Sequence, residues 1–179
     1  MKSATASILE AYGEVWARLL ARLSGLGDDE YLWEPVAGCW SIHPAAADGP
    51  WLLDGDGGGG PPPDQVPVTT IAWRLGHIAG TVGGFARSRF GDGRRLTAKE
   101  LPVPSQAARV EEFLDGHYRS WLEPLSGLRE EQWFEPLGPA FGPFSEHTTL
   151  DLALHVFDEV VHHAAEVGVL RDLWAAGLR

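Results

Sequence analysis

Residues 148–174 read TTLDLALHVFDEVVHHAAEVGVLRDLW, and the periodicity of this stretch decides the fold. Advancing about 100° per residue from His155 gathers Leu152, Val156, Val160, Val167 and Leu170 into one stripe centred near roughly 90°. That spacing predicts a helix over 148–174 with one buried face. Thr148 or Thr149 can cap its start, and Asp151 lies in the first turn, where the helix dipole favours a carboxylate. Six titratable side chains crowd its middle turns: His155, Asp158, Glu159, His162, His163 and Glu166.

Residues four apart share a helix face, so His155 with Glu159, Asp158 with His162, and Glu159 with His163 could each supply two metal ligands. Imidazole nitrogen and carboxylate oxygen suit zinc, nickel or iron. The stripe selects among the pairs. His163 falls at roughly 80°, inside it, and Glu159 at roughly 40°, on its flank, whereas Asp158 and His162 fall near roughly 300° and 340°. Glu159 and His163 are therefore expected to face the core. A carboxylate and an imidazole buried together need compensation, either from a mutual hydrogen bond or from a metal between them. A metal needs a third ligand from elsewhere in the chain. His77 is the candidate, but it faces away from the main stripe of its own segment (Ile71, Leu75, Ile78, Val82). Periodicity leaves the choice between hydrogen bond and metal open.

Three more long helical patterns precede this one. Ser3–Leu26 repeats Ile8, Leu9, Tyr12, Val15, Trp16, Leu19, Leu20 and Leu23 at helical spacing, with Gly25 and Gly27 at its end. Thr69–Phe90 has Thr69 or Thr70 as cap and Gly91 as terminator. Ser105–Leu125 places Val110, Phe113, Leu114, Tyr118, Trp121 and Leu122 on one side. Asp28–Trp33 reads as a short helical turn, and Trp133–Glu146 as a Pro/Gly-rich connection. Between the first and second long helices, Glu34–Pro67 is rich in Gly and Pro. Four consecutive Gly and three consecutive Pro occupy its centre, Asp54–Pro63, a composition that excludes regular structure. Residues 48–67 are thus expected to form a flexible loop, one able to border the site as a lid. Period-two alternation is scarce, so no sheet is expected. The pattern predicts an all-α four-helix bundle, one domain over 1–179.

Composition narrows function. A net charge of −11 argues against nucleic acid, whose phosphates require clustered Lys and Arg. No run of apolar residues is long enough for a membrane span, and no signal peptide is evident, so the expected location is the cytoplasm. Cys39 is the only cysteine. It excludes an intrachain disulfide and reads as a small buried hydrophobe rather than a reactive thiol. His43, His117 and His147 are isolated in sequence and read as surface residues. Asp54-Gly-Asp56-Gly lacks the glutamate that closes a calcium loop, and Gly57–Gly60 lacks the Lys-Ser/Thr of a P-loop.

A His in the second long helix, followed much later by a ligand, three residues, a His and then a Glu in the fourth, resembles the DinB/YfiT-like superfamily. Here those residues are His77, Glu159, His163 and Glu166. The segments Glu34–Ser41, Ile71–Gly76 and Val167–Leu173 also look familiar, the last resembling the helix end of actinobacterial members. Many members carry His where this chain has Glu159; the mycothiol-dependent maleylpyruvate isomerase branch is similar in using His, Glu and His. The resemblance implies a four-helix bundle holding a divalent metal, zinc or nickel foremost, at His77, Glu159 and His163. It implies a thiol-dependent S-transferase or isomerase that joins a low-molecular-weight thiol such as mycothiol or bacillithiol to a small electrophile. Glu166 or His162 would orient ligands or move protons, and a homodimer through bundle faces is expected. The alternative is a non-catalytic bundle that binds a small molecule or partner in stress response.

Overall fold

The computed structural model describes residues 2–55 and 68–178. It is an all-α bundle of four long helices. In chain order these are α1 (Ala4–Leu23), the one-turn α2 (Asp28–Tyr31), α3 (Ile71–Phe90), α4 (Val110–Ser126) and α5 (Thr149–Ala175). Short 3-10 turns at Ala98–Glu100, Ala107–Arg109, Glu130–Phe134 and Pro139–Phe144 fill the connections. Helix α3 packs on both α4 and α5, and α1 closes the ring against the same two helices.

The long helices begin where a hydroxyl can accept from an otherwise orphaned amide. Ser3 caps α1. Thr70 Oγ1 accepts from Trp73 N at 3.1 Å to start α3. Thr148 and Asp151 form a reciprocal capping box at the start of α5. On α1, Tyr12, Val15, Trp16, Leu19 and Leu23 are buried; on α4, Val110, Leu114, Tyr118, Trp121 and Leu125 are. On α5 the buried stripe is Leu152, Val156, Val160, His163, Val167 and Leu170, with a histidine in an apolar slot. Trp16 and Tyr118 stack across the α1/α4 interface at 3.8 Å between ring centroids.

Two expectations need correction. The long α1–α3 connection contains a small antiparallel hairpin, β1 (Ile42–Pro44) with β2 (Trp51–Leu53), in the register Ile42↔Leu53, His43↔Leu52, Pro44↔Trp51. Residues 51–53, expected as flexible loop, are therefore a strand. Alternation over three residues is too short to register as a pattern, and main-chain pairing carries the hairpin. Asp54 Oδ2 also accepts from Ser41 N at 2.8 Å, and Val103 N donates to Trp51 O at 2.8 Å. The centre of the Gly/Pro loop, 56–67, lies outside the described residues. His117, expected at the surface, is half-buried on α4 against Gly83 of α3, and burial pulls its pKa below the usual imidazole value. His43 and His147 are exposed and Cys39 is buried.

The hairpin sits on α3 because α3 offers it a gap. A Cβ at Gly76 would lie 2.7 Å from a Leu53 methyl and 2.9 Å from a Val103 methyl. Gly13 and Gly116, inside α1 and α4, have nothing within 4 Å of that position. Gly76→Ala should therefore destabilise the fold by about 1–3 kcal/mol through overpacking, less about 1 kcal/mol regained in helix propensity. Gly13→Ala and Gly116→Ala should each stabilise it by about 0.5–1 kcal/mol. Urea melts of the three variants check the contrast, and a Gly76→Ala protein as stable as the other two would contradict this packing.

Candidate metal centre

The capped starts of α3 and α5 set the phase of the two helices that meet at the site. Helix α3 brings Trp73, Arg74 and His77 to the α5 interface. Helix α5 brings Glu159, His163 and Glu166. His77 Nε2 lies 3.4 Å from Glu159 Oε2, and His163 Nε2 lies 3.3 Å from the same oxygen. The two imidazoles meet edge to face, with centroids 4.6 Å apart. Ligand atoms of all three residues lie within 4.8 Å of one another. The His77, Glu159 and His163 side chains are 11%, 23% and 9% exposed, so the cluster is largely withdrawn from water while one edge stays reachable.

The two imidazoles are held from behind. Trp73 stacks on His77 at 5.0 Å with the rings 7° from parallel, and Trp73 Nε1 donates to Asp54 O at 3.0 Å. The described flank of the Gly/Pro loop thus ends beside the His77 support, on the same end of the bundle. On the other side, Glu166 Oε2 lies 2.7 Å from His163 Nδ1 and accepts from Arg74 Nε at 2.9 Å. Arg74 Nη1 also lies 3.1 Å from His163 Nδ1. A guanidinium can only donate and an ionised carboxylate can only accept, so Nδ1 cannot serve both. The shorter contact to Glu166 decides for a proton on Nδ1, which leaves Nε2 facing Glu159.

That assignment tests the fit of a cation. With Nδ1 protonated on a neutral ring, the Nε2 lone pair points at a carboxylate oxygen 3.3 Å away, two acceptors facing each other. The mismatch disappears when a proton or a metal lies between them. Desolvation lowers the His163 pKa, but hydrogen bonds to Glu159 and Glu166 outweigh it and the net direction is upward. Glu159 is held well below the usual carboxylate range by hydrogen bonds to His163 and His77. Two imidazole nitrogens and one ionised carboxylate oxygen form a donor set suited to zinc or nickel.

The remaining titratable groups in the middle turns of α5 face outward. His155, Asp158 and His162 are exposed; the His162 ring tilts against His163 at 3.8 Å, and its Nδ1 lies 3.0 Å from Asp158 O. Arg74 was not evident from the sequence; its signal was a lone basic residue three before His77 in an otherwise apolar turn. A separate cavity of about 340 Å³ lies at the C-terminal ends of α1 and α5, lined by Arg22, Glu30, Arg171, Asp172 and Trp174 among others. There Arg171 forks the Glu30 carboxylate at 2.9 and 3.1 Å, and Arg22 pairs with Asp172.

The site and the bundle define a class of protein: four helices with a histidine–carboxylate centre between the second and fourth. The chain matches the family model of the DinB superfamily over residues 11–167, and it belongs to that superfamily. No curated protein and no solved structure matches it.

His163→Ala and His162→Ala separate the inward from the outward histidine. Removal of His163 takes one partner from Glu159 and leaves it a second in His77. The stability cost of His163→Ala should therefore sit near about 1 kcal/mol, the low end for a partly orphaned polar group, and His162→Ala should be close to neutral. Thermal melts check both, and a larger loss in His162→Ala would contradict the orientation of α5.

Proposed function

We propose that this chain is a divalent-metal-dependent enzyme that uses a low-molecular-weight thiol, of the mycothiol type, on a small electrophile. The observation that supports it is the convergence of ligand atoms from His77, Glu159 and His163 within 4.8 Å of one another. Three protein ligands leave an open position, the arrangement of catalytic rather than structural sites. When bound, such an ion supplies a Lewis-acid position that favours the thiolate form of a sulfur donor.

The chain's own residues account for the rest. Glu166 holds the Nδ1 proton of His163 and so keeps Nε2 free as a ligand. Trp73 fixes the plane of His77. His162, exposed beside His163, is placed to take the thiol proton and return it to product. The chemistry balances without an external oxidant. The sulfur forms a C–S bond to an activated alkene carbon, the π pair moves onto the activating carbonyl, and the proton returns to the neighbouring carbon. Reversal after rotation about the former double bond gives an isomer and regenerates the thiol. On a substrate with a leaving group, the C–S bond forms as the bond to that group breaks.

A second reading rests on a specific observation. His77, Glu159, His163, Glu166 and Arg74 form one continuous chain of contacts, which joins the two helices as a non-catalytic bundle would require. Metal content separates the two. Protein purified without a histidine tag should carry about one divalent ion per chain, as a three-ligand site implies. His163→Ala should lose it and His162→Ala should keep it. Conjugation of mycothiol, bacillithiol or glutathione to an activated cis-alkene and to an aryl halide should stop after chelation and return with zinc or nickel. An ion-free wild type that gains none on dialysis against zinc would favour the non-catalytic bundle.

A further inference from the structure

Arg74 is an unusual presence beside a cation site. It projects from α3 one turn before His77, with a side chain only 14% exposed, stacked near the Trp73 ring at 5.2 Å. Burial lowers its pKa, while Glu166 and Glu159 act against that. Among the described residues, two groups of His and Glu have ligand atoms within 4.8 Å of one another: His77, Glu159 and His163, and His162, His163 and Glu166. The groups share His163, one on each side of its ring. In the second, the guanidinium already stands among the donors, 2.9 Å from Glu166 Oε2 and 3.1 Å from His163 Nδ1.

We propose that Arg74 is the resident cation of the second cluster and, through Glu166, the positioning residue that fixes His163 for metal binding. Glu166 is 43% exposed, and an imidazole–carboxylate contact so open to water is weak unless a further group orients it. Arg74 Nε does so by donating to the same oxygen that receives the His163 Nδ1 proton. The guanidinium thereby keeps the proton on Nδ1 and the lone pair on Nε2. It also fills the position that a second divalent ion would take, which makes the centre mononuclear. The metal half of this inference rests on the proposed function; the orientation of His163 does not.

The sign of the effect distinguishes positioning from plain electrostatics. A positive group near a divalent cation repels it, so removing that group should tighten metal binding if charge were all that mattered. Positioning demands the opposite. In Arg74→Gln, zinc affinity should fall about ten- to a hundredfold, the usual consequence of losing a partner that orients a ligating histidine. Arg74→Lys, which keeps the charge but not the fork, should recover part of it. Glu166→Gln should show the same fall, and adding Arg74→Gln to it should cost little more, since one acts through the other.

Long-range proton–nitrogen spectra of ¹⁵N-histidine protein, recorded without metal, read the tautomer directly. Wild type should show His163 protonated at Nδ1, and Arg74→Gln and Glu166→Gln should each lose that preference while retaining the wild-type helical circular dichroism. Should Arg74→Gln fail to fold, Arg74→Lys and Glu166→Gln carry the same comparison. Zinc binding unchanged or tightened in the Arg74 variants, with an unchanged His163 tautomer, would overturn the proposal. A wild type that binds no zinc would sink the proposed function, and the spectra would still decide the positioning role.

Discussion

The contact between Glu159 and the two imidazoles is the constraint around which α3 and α5 are arranged. A charged carboxylate with a 23% exposed side chain has given up much of its water, and it is tolerated only because nitrogen atoms from two helices replace that water. Its depressed pKa has this cause: hydrogen bonds to His163 and His77 outweigh the opposing effect of burial. His163 lies four residues away on the same helix, so the local geometry of α5 delivers it. His77 arrives from α3, and its approach fixes the rotation of α3 about its axis and the distance between the helices.

Helix α3 meets this demand by being small where it must be close. Its buried face includes Ala72, Gly76, Ala79, Gly83 and Ala86, residues that admit neighbours near the backbone. At Gly76 the space is taken by Leu53 and Val103, and at Gly83 by His117. The same helix therefore contacts α4, α5 and the hairpin at once, with little side chain left over to form a single apolar stripe. Thr70 begins it at a buried point, sharing its hydroxyl with Ser41 at 3.2 Å, so the connection that follows α1 is tied to the helix that carries His77. Trp73 extends the tie: its indole joins Asp54 of the connection to the His77 ring.

What was legible in the sequence follows from this division. Helix α5 has one buried face, so a 3.6-residue period resolves it, and Glu159 and His163 fall inward on phase alone, with His162 and Asp158 outward. Helix α3 is buried on several sides, which blurs its phase; His77 appeared to face away from the core because the stripe of Ile71, Leu75, Ile78 and Val82 marks only one of its interfaces. The family pattern, not periodicity, singled it out. His117 was misread for the same reason, since the partner that buries it is a glycine with no side chain to announce contact. The hairpin escaped because three-residue strands held by main-chain pairing and by Asp54 carry almost no hydrophobic pattern. Arg74 escaped because a basic residue on a helix is ordinarily solvated, and only the nearness of Glu166 from another helix gives it a role.

The two carboxylates of the cluster are treated differently, and the difference is physical. Glu159 faces nitrogens that can be bare or protonated, so its surroundings can exchange a proton for a metal without rebuilding the site. Glu166 faces Arg74, a group that does not give up its proton, so its charge is permanently matched. One carboxylate is thus suited to ligate and the other to orient. The proton assignment on His163 follows from that pairing: the Arg74 side of the ring is fixed and the Glu159 side is exchangeable. The contact that joins the two helices is the one between His77 Nε2 and Glu159 Oε2, at 3.4 Å, whereas Glu159 and His163 share α5. The apolar stripes of four helices supply the stability, and the polar cluster sets which faces of α3 and α5 meet.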